Sequence, residues 1–214
     1  MSLKFPISLV GKRGGVDLKE GLVHWWEDGD RFDKVTGTAK IGGLRGAKTL
    51  APPAPFVDTF DPSRDPPSIT AHMNNPATDF TSYTIFALAG RKATNGYRNW
   101  AGTNHTNAGD NIKEASNNRI NISASSSSFR TSSHTNQQWN TFVFSKSGLT
   151  MEVYKDGVLI NTITGTQNPY TSWWRCWDCQ KTSFAIWGRA NIPWTQEHVD
   201  VFHNGGSYVQ YADL

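Results

Sequence analysis

The run from Leu149 to Ile163 constrains the fold more than any other part of the chain. Leu149 to Lys155 is β-branched and aromatic, Asp156-Gly157 follows at once, and Val158 to Ile163 returns as a similar segment. Asp-Gly accepts the positive φ angles of a two-residue type I′ turn, whose twist matches that of the strands it joins. The segment is an antiparallel hairpin. Whatever else the chain forms must include it.

Other strand signals are frequent and short. Leu22 to Trp26 is entered from Gly21 and left through the acidic turn Glu27 to Asp30. Ser68 to Met73 alternates, as does Arg119 to Ser123, and Trp139 to Ser145 sets Trp139, Thr141 and Val143 against Asn140, Phe142 and Phe144. Tyr83 to Ala89 and Ser183 to Gly188 are nearly continuous apolar runs, the pattern of strands buried on both faces. Thr94 to Gln138 is rich in Asn, Ser, Thr and Gly, and is read as ordered strands with polar outer faces. One helix is expected, from Thr195 to Asn204, capped by Thr195 and stopped at Gly205. With 214 residues, one domain suffices, so we expect an N-terminal arm over 1–17 and a single all-β, antiparallel two-sheet sandwich over 18–214.

Several segments together resemble the concanavalin A-like lectin/glucanase superfamily, in particular its laminin-G-like jelly-roll branch. These are Gly21-Leu22-Val23-His24-Trp25-Trp26, the Phe80 to Ala87 strand, Trp139 to Phe144, Tyr154-Lys155-Asp156-Gly157-Val158, the Trp187-Gly188-Arg189 turn and the late helix. Asn191-Ile192-Pro193-Trp194 stands where that family carries Gly-x-Ile-Asp-Glu. The resemblance implies a jelly-roll fold. It leaves function open, because this architecture hosts binders, enzymes and spacers.

Catalytic signatures are weak. Glycoside hydrolysis needs two carboxylates facing each other across a groove, and the Glu-x-Asp-x-x-Glu arrangement of the superfamily's hydrolases does not occur here. No Gly-x-Ser-x-Gly elbow is present either. The expectation is that the chain is not an enzyme. Asp58, Asp61 and Asp65 crowd one loop and Asp28, Asp30 and Asp33 another, oxygen ligands that could wrap Ca²⁺. Asp also builds turns through its own backbone bonds, and that reading leaves the protein without a cofactor. Cys176 and Cys179 have no second Cys-x-x-Cys to complete a zinc site, and His198 and His203 belong to the expected helix.

Sugar binding rests on aromatic side chains, whose faces stack on the C–H faces of a sugar while amides and carboxylates bond its hydroxyls. Tyr170, Trp173, Trp174 and Trp177 lie in one such cluster within a loop, and Tyr97 and Trp100 form a second. A net charge of +3 with no concentrated basic stripe excludes nucleic acid as the expected partner. No apolar run approaches the length of a membrane span.

The resemblance to recognition domains, without a leader signal or a disulfide framework, points to a bacteriophage virion protein. It would be made in the host cytoplasm and sit on head or tail as a decoration subunit. Its expected partners are other virion proteins, further copies of itself in a homo-oligomer, and host glycans. A dedicated carbohydrate-binding module is the alternative, and a glycoside hydrolase stands well behind both.

Overall fold

A computed structural model describes residues 18–27, 32–37, 82–90, 98–102, 111–115, 119–124, 127–130, 139–165, 175–176, 180–187, 201–203 and 208–214. Eleven strands account for most of them: β1 (Leu22–Glu27), β2 (Ser82–Gly90), β3 (Arg98–Gly102), β4 (Asn111–Ala115), β5 (Arg119–Ala124), β6 (Ser127–Arg130), β7 (Trp139–Ser147), β8 (Thr150–Lys155), β9 (Val158–Thr164), β10 (Arg175–Cys176) and β11 (Gln180–Trp187). Every pairing is antiparallel. Residues 201–203 are helical, and Tyr211–Asp213 forms a 3-10 turn. The expected arm, the Ser68 to Met73 strand and the start of the late helix lie outside the described residues.

The strands form two sheets. One has six strands in the order β1-β11-β2-β7-β8-β9, and the other has five in the order β10-β3-β4-β5-β6. The chain leaves the first sheet after β2, builds β3 to β6 as a meander in the second, and returns at β7 to lie beside β2. β5 and β6 also approach β9, where the two sheets come together. This is the expected antiparallel sandwich.

Strand alternation gives the first sheet two buried faces. On one, Phe142, Phe144, Met151, Val153 and Ile163 are buried, and the second sheet contributes the buried Ile120 and Ile122. On the other, Trp25, Phe86, Val143, Tyr154, Ala185 and Trp187 form a cluster with Phe202 and Val209 from the C-terminal segment. Phe86 stacks on Phe202 at 4.9 Å, and Trp187 meets Phe202 edge-on at 5.4 Å. The Trp187 indole also donates to the carbonyl of Leu18 at 2.7 Å. Each such ring removed from water contributes about 1.5–3 kcal/mol, so the C-terminal segment is a third layer. Burial on both faces explains why β2 reads as nearly unbroken apolar sequence: Tyr83 points one way and Phe86 the other, and both are buried.

The hairpin takes the expected form. Asp156 and Gly157 have φ of 50° and 79°, the left-handed pair that a type I′ turn needs. Beyond the turn, Lys155 pairs with Val158 and Tyr154 with Leu159, but Val153 pairs with Asn161. Ile160 is therefore an extra residue in β9, a bulge close to the turn.

Candidate functional site

Asp156 does more than turn the chain. Its Oδ1 accepts the backbone N–H of Thr141 at 2.9 Å, its Oδ2 accepts the side-chain amide of Asn140 at 2.7 Å, and its own N–H donates to the Thr141 carbonyl at 2.9 Å. The carboxylate is thus fixed against β7. Around it stand Lys155 Nζ at 4.0 Å and His203 Nδ1 at 3.9 Å. The side chains of Lys155, Asp156 and His203 keep 28%, 30% and 31% of their surface exposed, so a solute can reach all three.

Tyr208 completes this corner. Its ring meets His203 edge-on at 6.4 Å, and its backbone is held at φ 54°, a conformation that side chains other than glycine rarely adopt. Burial raises the Tyr208 phenol pKa, and the negative charge of Asp156 raises it further. The corner offers an oriented acceptor, two flanking nitrogen groups and a ring.

It is not a nucleophilic triad. Thr141 Oγ1 lies 3.4 Å from His203 Nδ1, the same nitrogen that faces Asp156, whereas a relay needs the nucleophile and the acid on opposite ring nitrogens. Thr141 is also buried.

A second polar cluster lies on β1. Asp33 is buried and accepts bonds from the N–H of Trp25 at 3.0 Å, the N–H of Val35 at 3.0 Å and the Thr36 hydroxyl at 2.8 Å, with His24 Nδ1 at 2.5 Å. Burial alone would raise its pKa, but these hydrogen bonds to the charged form outweigh it, and the pKa falls below the ordinary 3.8. All four lone-pair directions of Asp33 are committed to protein groups. The sequence offered two readings of Asp28, Asp30 and Asp33, calcium ligands or turn builders, and Asp33 is a turn-building carboxylate. Asp28 and Asp30 lie outside the described residues.

Other carboxylates are also framework groups. Glu27 is buried and accepts the Trp25 indole N–H at 2.6 Å, Glu152 accepts the Tyr154 hydroxyl at 2.8 Å, and Asp213 accepts the N–H of Gln210 at 2.9 Å.

Of the residues expected to bind sugar, Tyr97, Tyr170, Trp173, Trp174 and Trp177 lie outside the described residues, as do Asp58, Asp61 and Asp65. Trp100 is in β3 and Cys176 in β10. These two strands pair, with Cys176 opposite Ala101 and Arg175 opposite Gly102. Arg175–Cys176 and Ala101-Gly102, more than 70 positions apart in sequence, therefore run side by side at one edge of the second sheet. Arg175–Cys176, read as loop, is a short strand. The Asp156 corner was not read as a site, because Asn140, Asp156, His203 and Tyr208 share no local spacing.

No family model matches the sequence, and no curated protein matches it. Solved structures do. The binding domain of botulinum neurotoxin serotype D aligns with a TM-score of 0.59 at 10% identity, over 87% of this chain and 52% of that one. The binding domain of botulinum neurotoxin DC, solved in complex with rat synaptotagmin II, aligns with a TM-score of 0.57 at 15% identity, over 91% and 53%. A botulinum neurotoxin type C structure, from work on cell entry that depends on two ganglioside molecules, gives 0.56 at 13%, over 87% and 52%. The chain spans about half the length of these neighbours. At such identities the likeness establishes a shared β-sandwich fold, in keeping with the jelly-roll expectation.

Proposed function

We propose that the protein is a non-catalytic recognition domain whose ligands are glycans. The observation that carries this reading is the pairing of β3 with β10, which sets Arg175 and Cys176 beside Gly102 and Ala101, while Trp100 precedes the one pair in sequence and Trp173, Trp174 and Trp177 flank the other. Aromatic side chains supply flat apolar faces for sugar rings, and in the sequence Asn99 and Asp178 adjoin these tryptophans. Two further observations support it. The aligned structures include two binding domains, and a third structure comes from work on a toxin whose cell entry depends on two ganglioside molecules. The carboxylates of Glu27, Asp33 and Asp213 are held by backbone and indole donors rather than set out as a catalytic pair.

This support favours the carbohydrate-binding module over the virion decoration subunit. Carriage on a phage particle is a separate proposal, tested by co-purification with heads or tails. Glycan-array binding of the whole chain tests the recognition reading. Wild type should retain a defined set of glycans, and Trp173→Ala, Trp174→Ala or Trp100→Ala should lower that signal at least tenfold. A wild-type protein that retains no glycan, or one that releases reducing ends from a polysaccharide, overturns it.

A further inference from the structure

We propose that the corner made by Asp156, Lys155, His203 and Tyr208 is a saccharide subsite for a neutral sugar carrying adjacent hydroxyls. This rests on the glycan-binding reading and assigns it a second place on the molecule, on the first sheet rather than at the β3–β10 edge.

The acceptor is already oriented. The Thr141 N–H and hydroxyl on Oδ1 and the Asn140 amide on Oδ2 hold the Asp156 carboxylate in one position, which leaves a second lone-pair direction on Oδ2, and the side chain is 30% exposed. Acceptor capacity therefore faces solvent without reorganisation on binding.

The donors stand at a distance that invites a guest. Lys155 Nζ at 4.0 Å and His203 Nδ1 at 3.9 Å are both too far from the carboxylate to hydrogen-bond it. A hydroxyl seated between Asp156 Oδ2 and Lys155 Nζ can donate to the carboxylate and accept from the ammonium, and a neighbouring one can lie against the exposed part of the His203 ring. Two neighbouring hydroxyls on one ring can use both positions.

Charge selects the class of ligand. The Asp156 carboxylate and the Lys155 ammonium balance, so the pair has no excess field to attract an anion. An uncharged polyhydroxylated ring suits it better than a sialylated or sulfated one. Leu159, opposite Tyr154 in the hairpin and so on the face that carries Phe202, is 44% exposed and is an apolar side chain on that side.

Tyr208 sets the position of His203. Its left-handed backbone turns a ring that also packs on the outer core against the imidazole. Residues held in rare conformations concentrate at ligand sites, where surrounding structure compensates the strain.

The test uses the whole chain, titrated calorimetrically with a panel of neutral oligosaccharides built on galactose, glucose or mannose, and with sialylated counterparts. Three variants are compared with Trp173→Ala. Lys155→Ala alters a partly exposed side chain, Asp156→Asn keeps an Asn-Gly turn, and Tyr208→Gly removes the ring while fitting the backbone conformation. The expected result is binding of a neutral sugar that each variant weakens at least tenfold, with unfolding midpoints of Lys155→Ala and Asp156→Asn near wild type. Neutral-sugar binding that these variants leave intact but Trp173→Ala abolishes overturns the corner and leaves the glycan reading standing. Binding confined to sialylated sugars and lost in Lys155→Ala overturns the neutral class. No binding to any panel member overturns this subsite, and an empty glycan array as well overturns the reading beneath it.

Discussion

The carboxylate of Glu27 accepts the backbone N–H of Tyr211 at 2.5 Å, a bond between positions 184 residues apart. The same oxygen takes the Trp25 indole N–H at 2.6 Å. One buried side chain thus fastens the C-terminal segment to β1, and its loss strands two donors. Glu27→Ala should cost about 3 kcal/mol, since bonds to a charged acceptor are strong and orphaned buried donors are costly. Glu27→Gln keeps an acceptor and should lose less. Urea unfolding followed by tryptophan fluorescence measures both, and an unchanged midpoint for Glu27→Ala would refute the fastening role.

Asp33 predicts a pH dependence. Its pKa in the folded protein lies below 3.8, whereas the unfolded chain has the ordinary value. Its stabilising contribution is therefore complete above about pH 4 and is lost as pH falls through the lower folded value. Asp33→Asn should flatten this acid limb and lower stability at neutral pH. Urea midpoints taken between pH 6 and pH 2 follow the effect.

Phe202 is the hinge between the third layer and the sheet. It is fully buried against Phe86 and Trp187. Phe202→Ala should destabilise by about 3–5 kcal/mol, the range for removing a buried aromatic ring. It should also speed proteolysis within residues 201–214. Equal cleavage rates in variant and wild type would show that the ring does not hold the segment down.

Gly148 separates backbone strain from packing. Its φ is 57°, and a methyl group placed there would meet nothing within 4 Å. Gly148→Ala should cost about 1 kcal/mol through the left-handed conformation alone. Gly148→Asn should cost less, because Asn tolerates that region. Thermal melting of the two variants checks the order.

The sequence made some elements legible and hid others for physical reasons. The β8–β9 hairpin was readable because Asp156-Gly157 encodes its turn within two residues. β2 was readable because burial on two faces leaves an apolar run, and β11 because Ser183 to Trp187 is a similar run. The polar stretch containing β3, β4 and β6 gave order without boundaries, since Asn111–Ala115 and Ser127–Arg130 lack a clear apolar alternation. β10 is only two residues long, too short for any period, and so looked like loop. Asp33 kept two readings open in the sequence because a carboxylate that caps a turn and one that binds Ca²⁺ leave the same letter. The Asp156 corner joins residues that become neighbours only when the C-terminal segment docks, which no local pattern announces.

The bulge at Ile160 has a consequence for how the protein behaves in concentrated solution. β9 ends the hydrogen-bonded order of its sheet, with Val158 and Leu159 exposed beside the irregularity. A flat, regular ribbon there would be a template on which another molecule could extend the ladder, the first step toward fibres. One inserted residue interrupts the spacing and twists the border, so a visiting chain finds only short matching stretches. Deleting Ile160 would restore the rhythm and turn a guarded margin into a sticky one.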